Sequence, residues 1–144
     1  MSTNAGQPLQ ARQEDGTDDE PADAPVILVV DDDRDIRESL AETLRDAGYR
    51  PRCVCNGEEA FSYLRRNAAP AAMLLDLFMP VMNGWQFVQT LRGTRYDSIP
   101  IIMVTGSEPY WGTPVARVLR KPLDLQEVVA AVAQVVSSDS GAAA

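Results

Sequence analysis

The sequence contains no histidine. That excludes Ser-His-Asp and Cys-His catalysis, histidine-ligated metal sites, and any role as a phosphohistidine donor. Cysteine is scarce as well: Cys53 and Cys55 stand two apart in a stretch that reads as a strand, so both face one side. Neighbours on one strand are poorly placed for a disulfide and two thiols are too few for a structural zinc site, which leaves packing residues in a reducing compartment. No apolar run approaches the length of about 20 residues that spans a bilayer. The start also lacks the basic and apolar regions of a signal peptide, so a soluble, cytoplasmic protein with no membrane partner is expected. Basic residues are outnumbered 13 to 21, for a formal net charge of −8. With no basic stripe to displace phosphate counterions, nucleic acid is not an expected partner. No Gly-rich phosphate loop follows any candidate strand, which argues against nucleotide or flavin binding.

What the chain does have fits one domain with one core, 144 residues of ordinary apolar content. Residues 1–24 are rich in Gly, Pro, Ala, Asp and Glu, cannot bury enough surface to offset their ordering entropy, and read as a disordered acidic tail. Residues 25–137 carry the domain, and 138–144, small and polar, read as a flexible tail.

The central stretch is Met73-Leu74-Leu75-Asp76-Leu77-Phe78-Met79-Pro80-Val81-Met82-Asn83-Gly84. Its apolar run reads as a strand buried on both faces, ending in a carboxylate and then in Pro and Asn-Gly turn signals. Asp76 therefore sits at the carboxyl end of a buried strand, where open α/β sheets bind ligands. A helix N-cap or a solvated loop acid would look the same in isolation. Val26-Ile27-Leu28-Val29-Val30 is a second buried strand and runs into Asp31-Asp32-Asp33, three acids that need a cation or a helix N-terminus to balance them.

Along the chain, Ile36, Leu40, Leu44 and Ala47 recur at helical spacing and Gly48 follows as a cap. Residues 52–55 read as a short strand, and 58–66 as a helix presenting Ala60, Phe61 and Leu64. A helix from about Gly84 carries Trp85, Val88 and Leu91. Residues 101–104 form a strand closed by Thr105-Gly106. A last strand, 116–119, ends in Arg120-Lys121-Pro122. The final helix shows Leu125, Val128, Val129, Val132 and Val136, with Asp124 and Glu127 spaced as in a capping box. Five strand–helix alternations predict an α/β fold, a parallel sheet covered by helices on both faces with right-handed crossovers. The ends of strands one, three, four and five then lie close together and bring Asp31 to Asp33, Asp76, Thr105 and Lys121 to one place.

Clustered carboxylates without imidazole or thiol make a hard oxygen site that suits a hydrated Mg²⁺. A carboxylate is also a possible nucleophile toward phosphorus. Phosphoryl transfer needs positioning and charge neutralisation, for which a metal on one side and the Lys121 ammonium on the other suffice, with Thr105 offering a hydroxyl.

In family order, the segments Ile27 to Asp33, Leu74 to Gly84, Ile101 to Gly106 and Lys121-Pro122 closely resemble the receiver domains of two-component response regulators, over about Val26 to Val136. The resemblance implies a flavodoxin-like five-stranded sheet of order 2-1-3-4-5. It makes Asp76 the phosphoacceptor, and Asp31 and Asp32 the acid pair that holds Mg²⁺ together with Asp76 and the backbone carbonyl of Phe78. Thr105 resembles the switch hydroxyl, and Lys121 the lysine that pairs with the phosphoryl group, next to a bond to Pro122 that is usually cis in the family. The implied partners are a sensor histidine kinase or phosphotransfer protein and an unidentified downstream protein.

Two features depart from the family pattern. Only Thr105 to Val115, with Pro109 and Pro114, joins the fourth and fifth strands, so the usual fourth helix is expected to be shortened or missing. Val118 stands three residues before Lys121, where the family places a switch aromatic. Tyr110 or Trp111 either substitutes for that ring or simply packs the connection. The apolar ring of Phe78, two residues after Asp76, offers no hydrogen bond to an attacking water and predicts a comparatively long-lived phosphoryl group. Only Ser, Asp, Gly and Ala follow residue 136, so the expected role is a stand-alone signalling adaptor or phosphorelay intermediate, not an enzyme. A pseudo-receiver that binds partners constitutively is the alternative. A phosphatase of the haloacid-dehalogenase type, which needs a second Asp where Phe78 stands, fits less well.

Overall fold

A computed structural model of the chain describes residues 20–77, 79, 83–106 and 115–143. Five strands, β1 (Val26–Val30), β2 (Arg50–Val54), β3 (Ala72–Asp76), β4 (Ile101–Thr105) and β5 (Arg117–Arg120), form one parallel sheet in the order β2-β1-β3-β4-β5. Among the described residues four helices join or follow them: α1 (Arg34–Asp46), α2 (Gly57–Arg66), α3 (Gly84–Leu91) and α4 (Leu125–Ala143). The flavodoxin-like order matches the expectation.

Alternation along the inner strands divides the core in two. Leu28, Val30, Met73, Leu75, Ile101 and Met103 meet α2 and α3 through Ala60, Leu64, Phe87, Val88 and Leu91. Ile27, Val29, Ala72, Leu74, Ile102 and Val104 meet α1 and α4 through Leu40, Leu44, Val128, Ala131 and Val132. Both faces of β1, β3 and β4 are therefore apolar and covered, as parallel strands require. Burial of each large side chain removes it from water at roughly 1.5–3 kcal/mol.

The helix ends follow the capping residues. Asp33 caps α1 by accepting from the amides of Asp35 and Ile36 at 2.9 and 3.2 Å. Gly48, at φ 98, ends it in the left-handed region that favours glycine. Asn56 caps α2. Asn83 and Gln86 form a reciprocal capping box on α3. Asp124 accepts from Gln126 and Glu127 ahead of α4.

Several boundaries differ from the sequence reading. β2 begins at Arg50 and not at residue 52, because the ladder to β1 pairs Val26 with Arg50 and Ile27 with Pro51. Proline is tolerated there since β2 is an edge strand. β5 lies one residue later than expected, at Arg117–Arg120. α4 continues to Ala143, where a tail from residue 138 was expected; extending an existing helix adds a hydrogen bond per residue without a new nucleation cost.

Glu20 to Ala24, assigned from sequence to the acidic tail, lie against the domain. Glu20 bridges Arg45 of α1 and Arg52 of β2, each at 3.2 Å, with its side chain 4% exposed. Ala24 is buried, and its carbonyl accepts from Arg50 Nε at 2.8 Å. Removing either partner of a carboxylate this enclosed would leave a buried charge uncompensated, which costs several times the roughly 0.3–0.5 kcal/mol of the exposed Arg34–Glu38 pair.

Candidate phosphoacceptor site

The parallel topology carries four strand ends to one edge of the sheet. Asp76 is the last residue of β3 and is 4% exposed. Asp31 follows β1 directly and is equally enclosed, while Asp32 faces solvent. Asp31, Asp32 and Asp76 each offer a carboxylate oxygen within 4.8 Å of the others. Lys121, just past β5, brings Nζ to 3.5 Å from Asp76 Oδ1 and 3.9 Å from Asp31 Oδ2. Its own amide donates to the Thr105 carbonyl at 2.8 Å, and the Lys121-Pro122 bond is cis. Thr105, fully buried, ends β4 one residue beyond Val104, which pairs with Asp76.

Local hydrogen bonds fix the acid pair. The Asp31 amide donates to Val54 O of β2 at 3.2 Å, and the Asp31 carboxylate accepts from the Asp33 amide at 2.8 Å. Asp33 is thus spent as the α1 cap, which separates the third acid from the other two in role. Gly84 is held against the chain that follows Asp76: its amide donates to Leu77 O at 2.7 Å.

Burial, with the neighbouring Asp32 and Asp33 charges adding to it, pushes the Asp31 carboxyl above its ordinary value against the pull of the Asp33 amide and Lys121. A carboxyl that holds its proton more tightly folded than unfolded favours the fold most at low pH. That contribution is lost as pH rises through the raised folded value. In chelator, the stability of the protein relative to an Asp31→Asn variant is therefore expected to fall as pH rises through a window that opens at about pH 4. Urea midpoints of the two proteins measure it, and a difference constant across that window contradicts it.

The family model for the response regulator receiver domain matches residues 27–133. The chain belongs to the response regulator receiver family. Among curated relatives, the receiver is 34% identical to response regulator Rre1 of Synechocystis, covering 80% of this chain and 55% of that protein. It is 38% identical to response regulator MprA of Mycobacterium tuberculosis, covering 72% and 47%. The chain thus spans about half the length of these relatives. Solved structures like it include a response regulator receiver protein from Pseudomonas putida, 29% identical with TM-score 0.73, covering 79% of this chain and 99% of that one. The chemotaxis protein CheY4 of Vibrio cholerae is 28% identical with TM-score 0.71, covering 78% and 98%.

Of the residues expected in the receiver's site, Asp31, Asp32, Asp76 and Lys121 come together, and Thr105 stands at the adjoining strand end. Phe78, expected to supply a carbonyl ligand and to slow phosphoryl loss, lies outside the described residues. So do residues 107–114, with Tyr110 and Trp111 and the expectation of a shortened fourth helix. Val118 is half-buried on the α2–α3 side of β5. Sequence reasoning missed two residues that touch the site's backbone, Gly84 and Arg37. Asn-Gly reads as a generic turn signal, and an arginine in the first turns of a helix carries no sign of where it reaches.

Proposed function

We propose that this receiver accepts a phosphoryl group on Asp76 from a phosphohistidine of a sensor histidine kinase or histidine phosphotransfer protein. Kinase partnership follows from the family, and with no histidine among these 144 residues the donor imidazole lies outside them. The supporting observation is the convergence of three carboxylates within 4.8 Å, with an ammonium 3.5 Å from Asp76. An Asp76 carboxylate oxygen forms the new bond to phosphorus as the donor's phosphorus–nitrogen bond breaks, and the imidazole departs with that electron pair and takes up a proton.

The donor set fits Mg²⁺: all three ligands are hard carboxylate oxygens, and the exposed Asp32 leaves a side open for water. Asp31, Asp32 and Asp76 would hold the ion, which when bound neutralises phosphoryl oxygens. Lys121 contributes a positive charge 3.5 Å from Asp76, and Thr105 has a hydroxyl at the adjoining strand end for a phosphoryl oxygen. Passing the signal on, as adaptor or relay, is the proposed consequence of that charge change.

Incubation with acetyl phosphate and Mg²⁺ is expected to add one phosphoryl group by intact mass, and chelation with EDTA to prevent it. An unmodified mass under both conditions would favour the pseudo-receiver instead.

A further inference from the structure

Arg37 stands outside the acid set yet touches it. From α1, its Nη1 donates to the backbone carbonyl of Asp31 at 2.8 Å. Its own carbonyl accepts from Cys53 Sγ of β2 at 3.8 Å. Its charge is also felt just past β2, where it opposes the burial and the Glu59 contacts that push the Cys55 thiol up. Arg37 thus ties α1 to the end of β1 through its guanidinium and to β2 through its own backbone carbonyl. The cation paired with the Asp31 and Asp76 carboxylates is Lys121, whereas Arg37 bonds a neutral carbonyl.

We propose that Arg37 is a positioning residue for divalent-cation binding: by holding the Asp31 carbonyl it sets the rotation of the β1–α1 turn, and with it the direction of the Asp31 and Asp32 carboxylates. This rests on reading Asp31, Asp32 and Asp76 as the cation site. Two effects of removing the guanidinium oppose each other. Loss of a nearby positive charge lowers repulsion toward an incoming cation and tightens binding. Loss of the carbonyl tether lets the turn rotate and loosens binding, as removal of a partner that orients metal ligands does, by roughly tenfold or more. Because Arg37 is half-exposed, solvent screens its charge, while the tether at 2.8 Å acts directly on a ligand residue. The tether outweighs the charge.

The sign of the change separates the two. Calorimetric titration with Mg²⁺ is expected to give a dissociation constant about tenfold higher for Arg37→Met. Arg37→Lys, which keeps a charge but loses the planar fork, is expected to fall between Arg37→Met and the parent. Melting temperatures in EDTA, which a general packing role would lower, are expected to stay close to the parent's. A parent that binds Mg²⁺ beside an Arg37→Met variant that binds it equally well or more tightly overturns the inference and leaves the site reading intact. A parent that does not bind Mg²⁺ overturns both. Should the Met variant not fold, an unchanged constant in the Lys variant overturns the inference by itself.

Discussion

An Asp76→Asn protein is expected to take up no phosphoryl group from acetyl phosphate and Mg²⁺ under conditions that fully modify the parent. Asparagine matches aspartate in volume, so the 4%-exposed site at the end of β3 is refilled without a cavity. What disappears is the nucleophile, since a neutral amide oxygen attacks phosphorus far more weakly than a carboxylate, together with one of the three cation ligands. The fold is expected to hold, because relief of crowding among the three carboxylates offsets the lost ion pair to Lys121. Loss of the adduct with an undiminished melting temperature therefore identifies the acceptor and not an unfolded chain. Lys121→Met tests the other side of the same geometry. It deletes the charge 3.5 Å from Asp76 and should slow adduct formation by roughly 10²–10³-fold, the usual consequence of losing one fixed donor at developing negative charge. Intact mass followed over time reads both variants. An Asp76→Asn protein that is still modified moves the acceptor elsewhere, and an unaffected Lys121→Met rate removes the ammonium from the chemistry.

The site was legible because a parallel sheet converts sequence order into proximity. Buried strands at 26–30 and 72–76 announce themselves as continuous apolar runs, and whatever follows each run must emerge at the same edge. The edge strands were less legible for the opposite reason. Arg50, Pro51 and Arg52 lack the apolar signature, and their extended form is imposed by the ladder to β1 and by Glu20 and Ala24, which hold the arginine heads. α3 shows a third limit. Its predicted stripe named Trp85, which is half-buried, and passed over Phe87, which is fully buried and meets Phe61 edge-on at 5.1 Å. A helix of eight residues has too few turns for periodicity to place its buried face, and that face is decided by which side α2 occupies. Arg37 belongs to the same class, because its carbonyl partner lies in the turn before its own helix and is chosen by the path of the chain, not by any spacing.

Gly84 makes the strongest case for a residue whose role is invisible in sequence, and Gly84→Ala is expected to destabilise the protein by about 1–3 kcal/mol. Intrinsic propensity argues the other way only weakly, since Gly84 opens α3 and the roughly 0.5–1 kcal/mol by which alanine is favoured over glycine applies to helix interiors. The space around Gly84 reverses that sign. A Cβ there would stand 2.6 Å from the Asp76 carbonyl oxygen, 2.9 Å from Leu77 Cα and 3.2 Å from Met103 Sδ. The first two are backbone atoms at and just past the end of β3, which cannot swing aside as a side chain can. Relief has to come from moving α3 away from β3, which breaks the 2.7 Å bond from the Gly84 amide to Leu77 O and disturbs the packing of Phe87 and Val88. Loss of that bond also frees the Leu77 carbonyl next to Asp76 and loosens the chain that aims the Asp76 carboxylate, so slower phosphoryl uptake should accompany the lower stability. Urea denaturation measures the first and intact mass over time the second. An alanine variant as stable as the parent would mean that α3 shifts without cost, and that the close approach at the end of β3 is accommodated elsewhere in the helix.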